Sequence, residues 1–379
     1  MLPLFNRKLL LRNLLNIPGW KTERRIVVIE SDDWGSIRMA SKEAYQFFLK
    51  SGYPVDQCSY NKNDALESNE DLEKLFEVLI SVKDRNGNPA VFTANTVVAN
   101  PDFEKIKSSG YLEYYYEPFN ETFKKYPAHN KVFDLYKEGI KNKIFYPQFH
   151  GREHLNVSRW MNALRRGDQD THLAFSRNMF SVHTLPKRDN RNEFMDAMGY
   201  DSLVERGELN EVISEGLSLF NEKLGYKSKS FIASCYIWDS GIEPLLLKSG
   251  VFFIQGVAVQ CVPKLNGSFG YKKKYHYQGQ SNSIGQHYLV RNSFFEPNDF
   301  IDFNWIDDCL NRISVAFRWN KPAIISSHRK NYIGFINPAN RDKNLQLLGT
   351  LLTNILQKWP DVEFMTSDQL GDLISGNKL

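Results

Sequence analysis

Short runs of consecutive apolar residues recur along the chain, and most are separated by segments with helical periodicity. Residues 25–30 (RIVVIE) and 90–95 (AVFTAN) are nearly continuous in apolar character, which is typical of strands buried on both faces of a parallel sheet. Similar runs predict further strands at residues 143–149, 230–235, 251–259, 288–292, 322–327 and 362–365.

Helical periodicity fills many of the intervening segments. The spacing predicts helices at residues 42–50, 69–82, 102–108, 130–142, 158–166, 209–224, 241–248, 305–319 and 340–358, with a last one from Ser367. Strands that alternate with helices indicate an α/β protein with a mainly parallel sheet. Because no internal repeat or low-complexity linker divides the chain, we expect a single elaborated barrel-like domain over residues 25–379, with insertions near residues 165–200 and 262–300.

Residues 1–24 form an N-terminal arm whose leucines are interrupted by polar and basic residues. The arm lacks the unbroken apolar run that a signal peptide contains, so we expect a cytoplasmic protein. No stretch of about 18 apolar residues occurs in the sequence, so we expect no membrane span. Basic residues surround a helical stripe of leucines at positions 9, 10, 11, 14 and 15. The pattern favours a helix docked on the body of the protein and leaves a membrane-surface helix as the alternative.

Composition narrows the class of protein. The chain has 42% hydrophobic and 24% charged residues, as globular proteins do, and a net charge of +4, which is too small and dispersed for a nucleic-acid footprint. The basic run Lys272 to Lys274 lies in a Gly- and Tyr-rich stretch, and we interpret it as a solvated loop. Four cysteines without a C-x-x-C pair argue against a disulfide framework and a zinc knuckle. The oligomeric state stays open.

Polar clusters follow three of the predicted strands: Asp32 with Asp33, His150 with His154, and His328. The carboxyl ends of parallel barrel strands converge on one face, so the three clusters can share one site. Two imidazoles and one carboxylate make a three-ligand metal site that leaves a position for water. Taken singly, each cluster is also explained by a turn, a surface pair or a strand end.

These segments resemble the motifs of the polysaccharide deacetylases, carbohydrate esterase family four. Residues 30–35 (ESDDWG) are similar to the family's first motif, and residues 150–154 (HGREH) match its His-Ser/Thr-x-x-His motif apart from Gly151. Residues 325–328 (ISSH) are similar to its last motif, and residues 89–95 to its second strand. The resemblance implies a distorted (β/α) barrel of the glycoside hydrolase/deacetylase type with large loop insertions.

The resemblance also implies an activity and roles for particular residues. Asp33, His150 and His154 would bind a divalent metal, most often zinc, with cobalt as an alternative; Asp32 would be the general base and His328 the general acid. The implied reaction is metal-dependent removal of N- or O-linked acetyl groups from a polysaccharide or glycan precursor. The chemistry is consistent, because a metal acidifies water and an amide needs an acid to protonate its departing amine.

Two of the family's motifs are weak or missing in this chain. The third, an Arg followed by Pro, is absent from residues 231–236, and Arg152, Arg291 and Arg329 are candidate replacements. We expect Arg329 to be the best placed because it adjoins His328. The fourth motif, an Asp near a Trp that supports the acid histidine, has a loose echo at residues 302–305 (DFNW).

Two alternative functions stay open. One is a glycan-binding barrel that kept the metal but lost turnover with the third-motif arginine. The other is hydrolysis of another non-peptide C–N bond, because relatives of the family that the chain resembles also act on small amides. Trp34 and Trp238 are candidates to line the site and stack on a sugar ring, with simple packing as the alternative.

Overall fold

The computed structural model describes residues 4–182, 194–265, 271–300 and 302–376. Its strands are β1 (Ile26–Trp34), β2 (Phe92–Thr96), β3 (Ala99–Pro101), β4 (Tyr116–Pro118), β5 (Phe145–Phe149), β6 (Ser230–Ile232), β7 (Phe253–Gly256), β8 (Val259–Pro263), β9 (Tyr271–Tyr275), β10 (His287–Val290), β11 (Ser293–Phe294), β12 (Ala323–His328) and β13 (Glu363–Met365).

Among the described residues, α-helices alternate with these strands over much of the chain. They are α1 (Leu4–Asn16), α2 (Lys42–Lys50), α3 (Ser59–Asn63), α4 (Asn69–Ile80), α5 (Phe103–Ser108), α6 (Phe119–Lys124), α7 (Val132–Lys141), α8 (Val157–Arg165), α9 (Gln169–Phe175), α10 (Leu203–Leu224), α11 (Glu243–Lys248), α12 (Trp305–Arg318), α13 (Pro338–Lys358) and α14 (Ser367–Ser375).

The main sheet is parallel, as the continuous apolar runs predict. Its strand order is β10-β7-β6-β5-β2-β1-β12-β11, and β13 pairs in parallel with the start of β1. The register of β1 with β12 sets Asp32 opposite His328. Two of the predicted polar clusters therefore lie side by side at the carboxyl ends of neighbouring strands.

The two ends of this strand order meet, which closes the sheet into a distorted barrel. Strands β10 and β11 lie at opposite ends of the order, yet Arg291 and Asn292 alone separate them in the chain, and so short a link spans at most about 11 Å. The Arg291 amide donates to Gly256 of β7 at 2.8 Å, and the Asn292 amide donates to Ile324 of β12 at 3.2 Å. The α/β barrel expected from the sequence is confirmed.

Alternating residues of each strand face the interior of the barrel or the surrounding helices. Val27, Ile29 and Ile325 pack in the core cluster that contains buried residues of the outer helices. The interior begins with an apolar layer that α14 covers with Leu370; its strand residues are Ile26, Val28, Phe253, Leu289, Ile324 and Met365. Each of the strands β1, β7 and β12 carries a polar residue two positions beyond its last residue in this apolar layer. These polar residues are Glu30, Gln255 and Ser326, and all three are buried. The interior thus changes from apolar to polar toward the carboxyl ends.

The first segment expected to be an insertion carries a core of its own. Within residues 165–200, helix α9 contributes Phe175 to a buried cluster with Phe103, Trp160 and Phe180. Part of that segment, residues 183–193, lies outside the described residues. The sequence did not predict α9, because the seven residues that form it are too few to show a helical period.

The second segment, residues 262–300, belongs in part to the barrel. Strands β10 and β11 lie in the main sheet, so that part of the segment is not an insertion. The prediction of a loop around Lys272 to Lys274 is also wrong, because those residues lie in β9, which pairs antiparallel with β8. Exposed lysines mask the strand pattern there.

Candidate metal centre and active site

The end of β1 carries two adjacent aspartates that face the same mouth of the barrel. In regular extended chain, neighbouring side chains point to opposite faces. The pairing of β1 with β2 shifts register between Ser31 and Trp34, and Asp33 has a φ of 78°, in the left-handed region. This bulge directs both Asp32 and Asp33 toward the site.

The end of β5 supplies two histidines to the same place. His150 follows the strand, and Gly151 has a φ of 118°, which a residue with a Cβ rarely adopts. The turn brings His154 back toward β1. Asp33 Oδ1 lies 3.4 Å from His150 Nε2 and 3.2 Å from His154 Nε2, and all three residues are buried.

These three side chains have the geometry of a metal site. One potential ligand atom of each lies within 4.8 Å of the other two. Nitrogen and oxygen donors about 2.0–2.1 Å from a tetrahedral zinc ion are about 3.3 Å from one another, close to the two distances measured to Asp33.

The hydrogen bonds of His150 strengthen this interpretation. Its Nδ1 lies 2.9 Å from the carbonyl oxygen of Ile232, which makes Nδ1 the donor of that hydrogen bond and leaves Nε2 facing the Asp33 carboxylate. Among the described residues this Nε2 has no hydrogen-bond partner. Burial lowers the pKa of His154 and favours its neutral form. Two buried imidazoles beside one buried carboxylate suit a bound cation.

Asp32 lies beside the three ligand residues and is held by its own partners. Its Oδ1 accepts from Asn95 Nδ2 at 2.7 Å and from Arg291 Nη2 at 2.6 Å, and its Oδ2 accepts from Arg291 Nη1 at 2.7 Å. Burial alone would raise the pKa of Asp32, but the charge and hydrogen bonds of Arg291 outweigh it and lower the pKa to about 2. Asp32 is therefore a fixed, ionised carboxylate.

The arginine that holds Asp32 is Arg291, not Arg329 as we expected. Arg291 also donates from Nε to Glu30 at 2.6 Å, so one buried guanidinium bridges two carboxylates of β1. Arg329 is equally buried but binds Asp64 at 3.0 Å and Glu67 at 2.8 Å. The chain turns into a 3₁₀ helix directly after β12, which carries the Arg329 side chain to these other partners.

Arg152, the third candidate arginine, lies within the turn between the two histidine ligands. Its guanidinium donates to Glu153 at 2.7 Å and pairs with Glu215 of α10, while its carbonyl accepts from the amides of Val98 and Ala99. Arg152 therefore anchors the turn and is not the partner of Asp32.

His328 lies across the site from the three ligand residues. Its Nε2 is 3.7 Å from Asp32 Oδ2, and its Nδ1 is 2.5 Å from Glu296 Oε1. Burial would lower the pKa of His328, but Glu296 outweighs it and raises the pKa to about 9, so the imidazole is protonated at neutral pH. The His328 side chain is 22% exposed, whereas Asp32 and Asp33 are nearly inaccessible.

Glu296 has the role that the sequence assigned loosely to residues 302–305. Asp302 is exposed, and the structure does not place it at the site. Glu296 is buried, two residues beyond β11, and Asn331 donates to its second oxygen at 2.8 Å. A carboxylate does hold His328, but it is a glutamate earlier in the chain.

The two tryptophans proposed as sugar-stacking residues are packing residues instead. Trp34 is fully buried, donates to Ser31 Oγ at 3.0 Å and packs edge-on against Phe145. Trp238 is also buried and stacks on His276. Aromatic content alone does not separate a binding surface from a core.

Residues near the mouth of the site include two that the sequence did not suggest. Tyr60 of α3 meets the His328 ring edge-on with centroids 5.8 Å apart, and the Arg38 guanidinium lies 5.2 Å from the Tyr60 ring. An Arg38 nitrogen is 3.9 Å from Asp33 Oδ2. These side chains form one wall beside the acid and the ligands.

Asn95 and Glu296 were missed although a sequence signal pointed to each. Asn95 ends an apolar run that forms a buried strand, and Glu296 follows Phe294 and Phe295 at the end of another. Both fit a looser form of the rule that found Asp32 and His150, namely a polar residue near the carboxyl end of a buried strand. Single polar residues of this kind are common, so no cluster drew attention to them.

Comparison with known proteins gives similarity at the level of the fold. No protein-family model matches the chain, and no curated protein matches it. Among solved structures, a 4-alpha-glucanotransferase from Thermococcus litoralis is 9% identical with a TM-score of 0.44 over 91% of this chain, which spans only 40% of that protein.

Two further solved structures match over nearly their whole length. A protein assigned as a polysaccharide deacetylase from Mycobacterium smegmatis is 10% identical with a TM-score of 0.44, over 96% of this chain and 94% of that one. The PuuE allantoinase is 11% identical with a TM-score of 0.44, over 95% and 93% of the two chains. At such values the similarity concerns general architecture, and we take no residue role from it.

Proposed function

We propose that this protein is a metal-dependent hydrolase that removes N- or O-linked acetyl groups from a polysaccharide or glycan precursor, as a divergent member of carbohydrate esterase family four. One observation carries the proposal. The ligand atoms of Asp33, His150 and His154 converge beside an ionised Asp32 and a protonated His328 at the carboxyl ends of the barrel strands. Those are the parts that hydrolysis of an acyl bond requires.

In this proposal Asp33, His150 and His154 hold the ion, which when bound supplies Lewis acidity toward the acyl oxygen and the attacking water. Asp32 accepts the proton of that water. Arg291 and Asn95 fix the position of the Asp32 carboxylate, so no reorientation is needed when the proton arrives.

His328 acts on the leaving group. An amine departs from a tetrahedral intermediate only when protonated, and the Nε2 of His328, 3.7 Å from Asp32, is where that proton can come from. Glu296 holds the opposite nitrogen and keeps the ring charged until the transfer. Base and acid thus lie on either side of a narrow gap.

The contacts of Asp32 favour turnover over a glycan-binding barrel that has lost catalysis. That alternative arose because the family's third-motif arginine is missing from residues 231–236. Arg291 reaches Asp32 with two hydrogen bonds from another strand end. In this proposal, Arg291 takes over the function of the missing arginine from a different point in the sequence.

Acetate release tests the proposal. The full chain, loaded with Zn²⁺ or Co²⁺, is incubated with N-acetylated chitooligosaccharides and with O-acetylated xylan oligomers. We expect metal-dependent acetate release that falls by a factor of about 10² to 10⁴ in Asp32→Asn. Ammonia release from small amides without acetate release, or glycan binding without any product, would contradict it. Cell fractionation tests the cytoplasmic location that accompanies this proposal.

A further inference from the structure

Helix α1 docks on the protein through its polar residues. Arg12 pairs with Asp308 of α12, and Trp319 Nε1 donates to Asn13 Oδ1 at 2.8 Å. Asn292 Nδ2 donates to Asn16 Oδ1 at 2.9 Å. A surface helix of a globular protein ordinarily turns its apolar side inward. Here polar contacts fix the inner side of the helix.

The outer side of α1 is apolar. Leu10, Leu11 and Leu14 are 48%, 57% and 50% exposed, and Ile17, directly after the helix, is exposed as well. At 100° per residue these four positions cover an arc of about 120°. We call these four residues the leucine stripe. Partly buried Leu15 packs against the core, so the stripe is not simply the unpacked remainder of a loose helix.

The charge around the leucine stripe has one sign. Residues 1–22 contain Arg7, Lys8, Arg12 and Lys21 and no acidic residue. Arg7 and Lys8 are exposed in the first half of α1, whereas Arg12 is engaged with Asp308. Arg7 falls within the arc of the leucine stripe, one turn before Leu11, and Lys8 falls beside the arc. An exposed apolar stripe that begins with exposed cations suits a helix that lies in the interface of a bilayer.

We propose that α1 binds the protein to the surface of an anionic membrane, with the leucine stripe in the boundary between headgroups and acyl chains. Arg7 and Lys8 would contact the lipid phosphates. Among the residues that the structure describes, none of the helices combines the length and hydropathy of a membrane span. The inference stands on α1 itself and does not depend on the proposed function.

A second copy of the chain fits the leucine stripe less well. Two copies of α1 would bring their exposed cations together, and like charges oppose that contact. A stable dimer buries about 800 Å² on each partner, which is more than four half-exposed side chains offer. Anionic lipid provides both the apolar medium and the opposite charge.

Vesicle flotation with the full chain tests the proposal. We expect binding to vesicles of phosphatidylcholine with about 30% phosphatidylglycerol, and weaker binding as salt rises. Leu10→Ser with Leu14→Ser should weaken binding at least tenfold, and Arg7→Gln or Lys8→Gln about fivefold each. Leu112→Ser with Leu203→Ser is the matched control, because these leucines are 69% and 68% exposed elsewhere. The control should bind as the unmodified protein does.

Three outcomes would overturn the proposal. One is absence of binding to the anionic vesicles, and another is equal loss of binding in the control variant. The third is a dimer in analytical ultracentrifugation that dissociates in the Leu10→Ser, Leu14→Ser variant while vesicles are not bound, which would assign the leucine stripe to a second copy. Thermal unfolding of each variant is the control for folding. We expect an unchanged Tm, because the substituted side chains face away from the docking contacts.

Discussion

Arg291 lies 259 positions from Asp32 in the sequence, yet it determines the protonation state of that carboxylate. A buried carboxylate would ordinarily prefer its neutral form, and Glu30, which shares the same guanidinium, has a pKa raised by burial despite Arg291. Asp32 differs because Arg291 donates to it two of its three hydrogen bonds to carboxylates, and because the charge of His328 also lowers its pKa. One side chain thus prepares the base of the proposed reaction.

Replacing Arg291 by Lys should separate turnover from metal binding. A lysine is a point charge and cannot make the two parallel hydrogen bonds to Asp32. We expect kcat/KM for acetate release to fall about 100-fold or more, with the zinc content unchanged.

The matched control for this prediction is Arg341→Lys. Arg341 is also buried and bonded to carboxylates, Asp71 at 3.0 Å and Glu70 at 2.8 Å, but it holds α13 to α4. Its replacement should lower the free energy of unfolding and leave kcat/KM close to normal. An equal loss of turnover in both variants would show that Arg291 has only a structural role.

Glu296→Gln should move the alkaline limb of the pH profile. His328 must be protonated to act as an acid, so activity should fall as the pH rises through its pKa of about 9. The Glu296 carboxylate is what raises that pKa, and its removal should shift the limb in kcat/KM to lower pH. Asp302→Asn, which changes an exposed acid nearby in sequence, should leave the limb in place. An unchanged limb in Glu296→Gln would remove His328 from the acid role.

The sequence allowed prediction of the residues that cluster but not of those that join strands across the barrel. Asp32, Asp33, His150, His154 and His328 follow strands in pairs or match a motif. Arg291 was one of three candidates, and only the register of β7, β10 and β12 places it beside β1. Adjacency in sequence favoured Arg329 and was misleading, because the chain turns at that residue.

The turn between His150 and His154 is the element on which the metal site depends. Gly151 holds a φ of 118°, and a Cβ placed there would lie 3.0 Å from the carbonyl oxygen of Glu153 and 3.2 Å from the Met198 side chain. The motif that residues 150–154 resemble has Ser or Thr at this position, whereas this chain has Gly.

Gly151→Ala should weaken metal binding. The alanine would force the turn out of its present conformation, a change that costs about 1–3 kcal/mol and displaces His150 relative to His154. We expect zinc affinity in a competition titration to fall at least tenfold. Gly110→Ala is the control, since Gly110 has a φ of 66° but a Cβ added to it would meet no atom within 4 Å. The Gly110→Ala variant should carry the same kind of backbone strain as Gly151→Ala but bind zinc with normal affinity.

Most strands of the main sheet and most long helices were predicted, whereas several short elements were not. The runs at residues 25–30, 90–95 and 322–327 correspond to β1, β2 and β12, and Gly225 ends α10 as expected. Strand β11 has two residues and α9 has seven, too few for a period to show. The prediction included a strand at residues 288–292, which corresponds to β10, but not β11, so the barrel seam was taken partly for an insertion.

Across the whole molecule, the barrel interior combines an apolar base with a polar layer whose side chains bond one another beneath the site. Gln255 links Asn95 to Ser230, and Gln148 accepts from the Ser230 amide at 2.8 Å. Buried polar networks fix a single arrangement when their members are bonded. This layer transmits the register of the strands to the position of Asp32.

Metal removal should lower the thermal stability of the folded protein, because the ligands come from two strands that are far apart in the chain. An ion that binds only the native state adds about 4 kcal/mol to the free energy of unfolding when its free concentration is about a thousand times its Kd. We expect a chelator to lower Tm by several degrees and added Zn²⁺ to restore it, as measured by differential scanning calorimetry. Asp33→Asn should have a Tm that responds to neither, whereas Asp32→Asn should respond as the unmodified protein does.

The metal centre itself is tested most simply by the metal content of the purified full chain and its variants, determined by inductively coupled plasma mass spectrometry. We expect about one equivalent of a divalent transition metal in the unmodified protein and in Asp32→Asn, and almost none in Asp33→Ala, His150→Ala or His154→Ala. A protein that cannot be loaded with metal, or ligand variants that retain a full equivalent, would show that these three residues do not form a metal site.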